Sequence, residues 1–443
     1  MIQVKLIATT DQPVNTLSSH AAKVCYTSTM PELGNLIDVK SRLFATGHHT
    51  TIEHNYFTFV LEGLSVSSVV FGLHMNTPYY NSDQRSGRFS KMYSNPDFDE
   101  IAAYLRHFYP AEPTDKAVAF IEKGTRIYQD NIARLTELAA RVIREDRPLA
   151  TDKYIEQNAP KFAQEQLRMF ISQATPTALD MTINTSALAA LWRVAWSPEM
   201  REITDQMRDA VLAVQPDLAY MFDSTKRQNR DWTPKMHFTE ARIHTMPMSI
   251  VQDIDLNSQV EPSAMDSVDI LPFSPFSMAN NTTRIKTEVS VSCATLGQDQ
   301  RHRSISRTPP IFVGSFYVPP LLGEAGLTQT AKDYMQDYIN LSRELSPALT
   351  TTIAPYGAMV MYQKSANLNA LIHEQGKRLC WCAQEEISDL ARQLRSSLKE
   401  RYPALADRLA PPCYRGKCLE GVRFCGRQCH PNLVADYFVK RRV

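Results

Sequence analysis

Apolar residues recur at helical spacing along four long stretches of the chain. In residues 117–146, Ala, Phe, Ile, Leu and Val return every three or four positions among Lys, Arg and Glu, which is typical of an amphipathic helix. The same period predicts helices over residues 186–212, 328–345 and 367–398. These stretches indicate a layer of long helices.

Two shorter segments alternate apolar and polar residues with the period of two that is typical of strands. They are residues 56–61, Tyr-Phe-Thr-Phe-Val-Leu, and 287–292, Thr-Glu-Val-Ser-Val-Ser. A strand region followed by helices thus occurs twice, and this order indicates a diverged internal repeat. Polar, loop-like stretches cover residues 224–235 and 252–275. We therefore predict two domains, 1–232 and 233–443.

Composition narrows the class of protein. Of 443 residues, 43% are hydrophobic and 21% are charged, as in globular proteins. A formal net charge of +1 argues against nucleic acid and anionic membrane surfaces as partners. We find neither a secretory signal nor an apolar run near the roughly 18 residues that span a bilayer, so we expect a cytoplasmic protein. With 15 glycines and no glycine-rich phosphate loop, any nucleotide must be held in another way.

Cysteines cluster late in the chain. Six of the eight lie in two groups, at residues 380–382 and 413–429. In a reducing compartment this clustering favours a metal site over disulfides, and buried free thiols are the alternative.

Residues 47–54, Gly-His-His-Thr-Thr-Ile-Glu-His, hold three His and one Glu. Thr50 and Glu53 have the spacing of a capping box at a helix start. His49 and Glu53 are four apart, so they could instead face one metal ion, although no further ligand is specified. On spacing alone the helix cap is the favoured interpretation.

Two further motifs suit anions. Ser86-Gly87-Arg88 offers a hydroxyl, a closely approachable amide and a guanidinium, which together suit a phosphate. The same three residues are equally typical of a simple turn followed by an exposed arginine. In residues 298–303, Gln-Asp-Gln-Arg-His-Arg, an extended chain would point both arginines to one side and His302 to the other.

In their order along the chain, these motifs resemble those of the flavin-dependent thymidylate synthases. The resemblance rests on residues 47–54, Phe57-Thr58-Phe59, residues 86–91 (Ser-Gly-Arg-Phe-Ser-Lys), Thr182-Ile183-Asn184, Arg301-His302-Arg303, residues 367–373, Arg378, and Ala383-Gln384 with Glu386-Ile387. It implies an α/β (α+β) fold of two tandem domains of this type, each a mixed sheet with a long-helix layer. Four chains assemble in the family, so we expect a homodimer whose four domains mimic that tetramer.

The resemblance also implies a division of labour between the two copies. The first half keeps flavin-side residues, namely Cys25, His48, Thr50, Glu53 and Asn184, and a nucleotide-phosphate clamp of Ser86, Gly87, Arg88 and Arg168. The second half keeps flavin-side Arg301, His302, Arg303, Asn367 and His373, with Gln298 and Arg378 on the substrate side. His48, Arg301, His302 and Arg303 are the residues expected to act in catalysis.

The losses in the two copies are complementary. Asn76-Thr77-Pro78 stands where the first half should carry Arg-His-Arg, and Ile311-Phe312-Val313 stands where the second should carry Ser-Gly-Arg. One family arginine is missing from both copies, where Ser186 and Asn369 stand instead.

The resemblance implies reductive methylation of dUMP to dTMP. FAD, NADPH and methylenetetrahydrofolate would be the cofactors, so the partners would be a pyrimidine nucleotide and a folate. Because of Ser186 and Asn369, two alternatives stay open: a related flavin enzyme acting on another pyrimidine nucleotide, and a flavin- or nucleotide-binding paralogue without turnover.

The tail looks like the cysteine-rich end of some family members. There, a helix cysteine joins three tail cysteines around zinc, which implies Cys380 with Cys413, Cys418 and Cys425 here. Cys429 and His430 are possible substitutes, and an iron–sulfur cluster needs the same number of ligands.

Overall fold

The computed structural model describes residues 1–74, 80–88, 93, 96–227, 232–256, 282–415, 418, 420–421, 424–427 and 437–443. Two β-sheets with surrounding helices make up this part of the chain. Both predicted strands are present, at Phe57–Ser65 and Arg284–Ser292. The predicted α/β class is confirmed.

The first sheet has the strand order β1-β2-β4-β3, and every neighbouring pair is antiparallel. Its strands are β1 (Gln3–Thr9), β2 (Phe57–Ser65), β3 (Tyr80–Gln84) and β4 (Pro176–Ile183). On β2 the alternate residues Phe57, Phe59 and Leu61 are fully buried, since a strand turns every second side chain to the same face.

Seven α-helices surround this sheet in the described part of the first half. They are α1 (Val14–Val24), α2 (Val66–Ser68), α3 (Phe98–Phe108), α4 (Ala111–Asp146), α5 (Asp152–Leu167), α6 (Thr185–Val194) and α7 (Pro198–Val214). Short π- or 3₁₀-helical turns occur at Lys40–Phe44, His49–Ile52, Val69–Leu73, Arg168–Phe170, Pro216–Phe222 and Ser224–Lys226.

The second sheet has the order β5-β9-β10-β7-β6, with β8 also paired to β10. Its pairs are antiparallel except for the parallel pair of β5 and β9. The strands are β5 (Arg242–His244), β6 (Met248–Asp255), β7 (Arg284–Ser292), β8 (Ser306–Arg307), β9 (Ile311–Tyr317) and β10 (Ala358–Ala366).

The described helices of the second half all follow strand β7 along the chain. They are α8 (Cys293–Asp299), α9 (Pro320–Glu324), α10 (Thr328–Leu341), α11 (Pro347–Thr352), α12 (Leu368–Arg378), α13 (Glu385–Arg401) and α14 (Pro403–Ala406), with a 3₁₀ turn at Pro412–Arg415. No helix of the described residues is long and apolar enough to cross a bilayer.

Two of the four predicted helices are broken in the structure. The stretch 186–212 divides into α6 and α7, because Ser197 caps a new helix whose first residue is Pro198. The stretch 367–398 divides into α12 and α13, with residues 379–384 outside both helices. The helix predicted from residue 117 already begins at Ala111, and the one predicted to end at residue 345 ends at Leu341.

The two sheets repeat one arrangement, because β1-β2-β4-β3 and β6-β7-β10-β9 have the same order. They also repeat a buried contact that the sequence did not reveal. Ser65 and Ser68 donate hydrogen bonds to Glu199 of α7, at 3.0 and 2.7 Å. In the second half, Ser292 and Thr295 donate to Glu386 of α13, the latter at 2.7 Å. In each half the carboxylate fixes the turn between a central strand and the following short helix.

These twin glutamates predict a pH effect on stability. Burial raises the pKa of Glu386 to about 7 and that of Glu199 to about 7. The folded state therefore holds a proton that the unfolded state releases above its pKa of about 4.5, so stability falls as the pH rises from about 4.5 to about 7. At about 1.4 kcal/mol per unit of pKa difference, each glutamate costs on the order of 3 kcal/mol at neutral pH.

Urea unfolding of the wild type and of Glu386→Gln at pH 5, 6, 7 and 8 measures this effect. The wild type should lose stability relative to the variant between pH 5 and 7, and Glu199→Gln should show the same course. A stability difference that is independent of pH would contradict the prediction.

The two halves share one apolar core, which includes residues of both sheets. Phe120 of α4 stacks on Tyr334 of α10, with ring centroids 4.4 Å apart. One turn further along α4, a Cβ on Gly124 would collide with the Phe170 carbonyl and the Tyr334 hydroxyl, so only glycine permits this approach. The boundary at residue 232 stays a prediction.

Candidate active site between the two halves

A cavity of about 130 Å³ opens where the two halves meet. The first half contributes Val66, Val70, Gln84, Arg85, Ser86, Gly87, Arg88 and Arg168, and the second contributes Cys293, Ala294, Gly297, Gln298, Arg301 and Tyr356. Six predicted site residues therefore line one space, namely Ser86, Gly87, Arg88, Arg168, Gln298 and Arg301.

The Ser86-Gly87-Arg88 turn follows the end of β3 and forms the first wall. A Cβ on Gly87 would collide with the Tyr93 hydroxyl and press on Arg168, so this position requires glycine. The Arg88 Nη2 atom lies 3.0 Å from a carboxylate oxygen of Glu165 and 3.1 Å from the Cys382 carbonyl oxygen. Arg88 is thus held by both halves of the protein.

Arg168 lies at the C-terminal end of α5 and is 4% exposed. Its Nη2 atom donates to the Gln384 side-chain oxygen at 2.9 Å, and its guanidinium lies 5.3 Å from the centre of the Tyr356 ring. Burial opposes its charge, but Tyr93 and Glu165 outweigh burial and raise the pKa of Arg168. A fixed cation therefore stands beside the cavity.

The second wall is the turn after α8. Arg301 contacts β3 of the first half, with its Nη1 atom 3.3 Å from the Ser82 carbonyl oxygen and its Nη2 atom 3.4 Å from the Asp83 carboxylate. Arg303 donates to the same Ser82 carbonyl at 2.8 Å and lies over the Tyr80 ring. The two arginines share one side as predicted, although the segment is a turn and not an extended strand.

His302 points away from the two arginines and is buried. Its ring packs against that of His373 with centroids 5.4 Å apart. Burial, helped by the nearby Arg378 guanidinium, lowers the pKa of His302 to about 2, so this imidazole is neutral at physiological pH. Burial and the neighbouring Lys377 also lower the pKa of His373.

Arg378 and Gln384 join the two walls. Arg378 donates to the Gln298 carbonyl, and the Gln298 side-chain amide donates to the Gln384 side-chain oxygen that Arg168 also contacts. Sequence reasoning did not assign site roles to Gln384, Glu165, Tyr356 or Asp83. Gln384 lies inside one of the motifs that carry the family resemblance, so the sequence did contain a signal for its place in the site.

Four predicted flavin-side residues lie elsewhere. Cys25, His48 and Thr50 are exposed, Glu53 is partly exposed, and none of them lines the described cavity. The predicted capping box is wrong, because the 3₁₀ turn His49–Ile52 is preceded by His48 as its cap and has no side-chain capping bond. The replaced motif Asn76-Thr77-Pro78 and residues 89–91 fall outside the described residues.

Asn184 and Asn367 occupy equivalent places as helix caps. The Asn184 side-chain oxygen accepts from the Ala187 amide at 2.8 Å, and that of Asn367 accepts from the Ala370 amide at 2.8 Å. The structure thus gives both residues a local role, and their contact with a cofactor stays a prediction.

The late cysteines gather around Trp381. Cys382, which the predicted ligand set omitted, lies within hydrogen-bonding distance of Cys380 and Cys425, and Cys413 and Cys418 pack in the same cluster. Among the residues that the structure describes, no group of three or more His, Cys, Asp or Glu is arranged to hold a metal ion. Cys429 and His430 lie outside those residues, and zinc stays a prediction.

A protein-family model matches two stretches of the chain. A family model described as thymidylate synthase complementing protein matches residues 5–217 and again 267–404. The chain belongs to this family, the flavin-dependent thymidylate synthases. Its members are flavin-dependent methyltransferases, so the family, the tandem fold and the enzyme class expected from the motifs are confirmed.

Solved structures that the chain matches include the UMP/dUMP methylase PolB from Streptomyces cacaoi bound with 5-Br dUMP, at 16% identity over 52% of this chain and 98% of that chain, with a TM-score of 0.33. Thymidylate synthase X from Helicobacter pylori, solved with FAD and dUMP, is 19% identical over 52% of this chain and 100% of that chain, with a TM-score of 0.33. None of the curated proteins compared with the chain matches it.

Proposed function

We propose that this flavin-dependent methyltransferase reductively methylates dUMP to dTMP, with FAD, NADPH and methylenetetrahydrofolate. One observation carries the proposal: the cavity between the halves joins the phosphate clamp that only the first half retains to the Gln298 and Arg301 that only the second half retains. The losses are complementary along the sequence, and the surviving groups meet in space.

Several polar atoms around this cavity are buried without a partner. They are the Nε atoms of Arg168 and Arg378, the Gln298 side-chain oxygen and the Gln384 side-chain nitrogen. Buried polar groups ordinarily pair, so these atoms favour a bound polar ligand. Two guanidinium donors suit a phosphate, and an amide oxygen with an amide nitrogen matches the donor and acceptor edge of a pyrimidine.

The second wall provides groups that suit an anionic ring cofactor. Arg301 and Arg303 provide two cations, and His302 provides an imidazole that burial keeps neutral. FAD, when bound and reduced by NADPH, would supply the hydride that converts the transferred methylene to a methyl group. The role of Arg301 and Arg303 is to orient the pyrimidine and the flavin and to stabilise developing negative charge.

A homodimer accounts for the flavin-side residues that lie outside the cavity. Cys25, His48 and Thr50 are exposed, and the adjoining Tyr26 and Met30 are 88% and 74% exposed. Exposed apolar side chains mark an interaction surface where they form a contiguous patch, and the proposed dimer would cover these two side chains. In the proposed dimer these residues would complete the flavin site of the other copy, and a cytoplasmic location is part of the same proposal.

Another pyrimidine nucleotide is the second candidate substrate. The position of the family arginine is occupied by Ser186 in the first turn of α6 and by Asn369 in the first turn of α12, where Asn369 is buried. Neither side chain carries the charge that the family arginine would bring, so the base is the less constrained part of the substrate.

An anaerobic absorbance experiment tests the proposal. Purified protein loaded with FAD is reduced with NADPH and then mixed with dUMP and methylenetetrahydrofolate. We expect the flavin bands to bleach, to recover on mixing, and to be accompanied by dTMP. Reduction without dTMP but with methylation of UMP would favour the second candidate. Failure to bind FAD would refute both.

A further inference from the structure

A buried network of four ionisable side chains lies directly behind the end of α8, which carries Gln298, and the loop after it, which carries Arg301. Asp299 is fully buried and receives hydrogen bonds from Arg307 at 2.6 Å, Lys364 at 2.6 Å and the Tyr362 hydroxyl at 2.8 Å. Lys364 also contacts Glu374 at 2.6 Å. Asp299 falls within the 298–303 motif, whereas Arg307, Tyr362, Lys364 and Glu374 belong to none of the motifs from which the site was predicted.

Arg307 is the group that shapes the loop. Besides the Asp299 carboxylate, its guanidinium donates to three backbone carbonyl oxygens: that of Asp299, that of His302 at 3.1 Å and that of Ile305 at 2.9 Å. One side chain therefore ties together the start, middle and end of residues 299–305. A planar guanidinium with five donors can do this, whereas an ammonium group cannot reach the same acceptors together.

The network also fixes the loop to the rest of the second half. Tyr362 and Lys364 belong to β10, and Glu374 belongs to α12, which also carries His373 and Arg378. The loop and α12 thus share one buried anchor. Although burial opposes ionisation, Arg307 and Lys364 hold the pKa of Asp299 well below its usual range, so the anchor is ionic.

Buried ion pairs seldom add net stability, because removing both charges from water costs about as much as their attraction returns. A buried ionic cluster behind a loop is therefore a poor device for stability alone. They do favour one geometry strongly, since any displacement leaves a charge uncompensated. Because the loop has one geometry, Arg301 meets Ser82 and Asp83 of the first half in a single position.

We propose that Arg307, anchored through Asp299 to Tyr362, Lys364 and Glu374, is the positioning residue for the end of α8 and the loop after it, which carry Gln298, Arg301, His302 and Arg303. It contacts no reacting group in this arrangement and acts through the backbone carbonyls that it holds. The assignment of the loop to nucleotide and flavin rests on the proposed function, whereas its fixation by Arg307 does not.

The test compares Arg307→Lys with Arg395→Lys. Arg395 is another buried arginine of the second half, and its Nε donates to the Leu409 carbonyl oxygen at 3.1 Å, outside the cavity. Both variants should lower the melting temperature. Only Arg307→Lys should weaken dUMP and FAD binding and lower kcat/KM, by about 100-fold, because small misplacements of site groups have effects of that size.

Tyr362→Phe is a milder variant that keeps the anchor if Arg307→Lys fails to fold. It removes one hydroxyl donor from Asp299, and Tyr338→Phe, which removes a buried hydroxyl that donates to the Thr350 carbonyl oxygen, is its matched control. We expect about a tenfold loss of ligand affinity for Tyr362→Phe alone. Equal ligand affinities in each variant and its control would overturn the proposal.

Hydrogen exchange of residues 298–305 separates this inference from the proposed function. Exchange there should accelerate at least tenfold in Arg307→Lys and stay unchanged in Arg395→Lys, with no ligand present. If the wild type binds neither dUMP nor FAD, the proposed function fails, and the exchange result alone decides the positioning role. Unchanged exchange in Arg307→Lys overturns it.

Discussion

Replacing Arg168 by alanine should abolish tight nucleotide binding and leave FAD bound. Arg168 is buried at the cavity wall, and its neighbours Gln384 and Tyr356 hold it in one orientation. Loss of a buried, hydrogen-bonded charge from a binding site costs about 2–5 kcal/mol, so we expect dUMP affinity to fall by at least about 30-fold. Calorimetry with dUMP and flavin absorbance on the same sample measure both ligands.

Two further variants make this result specific. Arg168→Lys keeps the charge but loses the two-pronged donor geometry, and should bind dUMP with intermediate affinity. Arg227→Ala removes an arginine that pairs with Asp205 away from the described cavity, and should retain both ligands. If Arg168→Ala loses FAD and dUMP equally, the division of labour between the halves is wrong.

Replacing Arg147 by alanine should destabilise the protein by about 3–5 kcal/mol. Arg147 follows α4 in the first half and is 1% exposed. Its guanidinium donates to carbonyl oxygens of Trp381, Cys425 and Val443 at 3.2, 3.0 and 2.9 Å. One side chain thus fixes Val443 and the cysteine region of the second half to the first half, and its removal leaves three buried acceptors unpaired.

Urea unfolding compares Arg147→Ala with Arg144→Ala. Arg144 lies one turn earlier on α4 and is exposed, so its removal should change stability by less than about 0.5 kcal/mol. A loss below about 1 kcal/mol for Arg147→Ala would show that other contacts hold Val443 and the cysteine region in place.

The fold was predictable where one physical pattern dominates. The strands β2 and β7 and the helices α4 and α10 follow from apolar period alone. The breaks after α6 and α12 were missed, because helices on both sides of each break face the same core and keep the apolar period running. Strand β3, Tyr-Asn-Ser-Asp-Gln, lies at the end of its sheet and has no apolar alternation to reveal it.

The site was predictable as residue types but not as an arrangement. Sequence motifs indicated Arg88 and Arg301, yet the acceptors that fix them are distant in sequence: Glu165 and the Cys382 carbonyl for Arg88, and Ser82 for Arg301. A backbone carbonyl leaves no mark in the sequence, since every residue carries one. The network around Asp299 escaped for a related reason, because its members are scattered over residues 299–374.

Arg301 and Arg303 contact Ser82 and Asp83, so substitutions in one half of the chain affect which substitutions the other half tolerates. A substitution on β3 changes the surface on which the second half places its arginines, so each copy sets the limits within which the other can vary. If Arg301 is substituted and variants are selected for restored activity, we therefore expect compensating substitutions in residues 80–84, more than two hundred positions away. If the two halves were encoded by separate genes, the same contacts would have to form between two separate polypeptides.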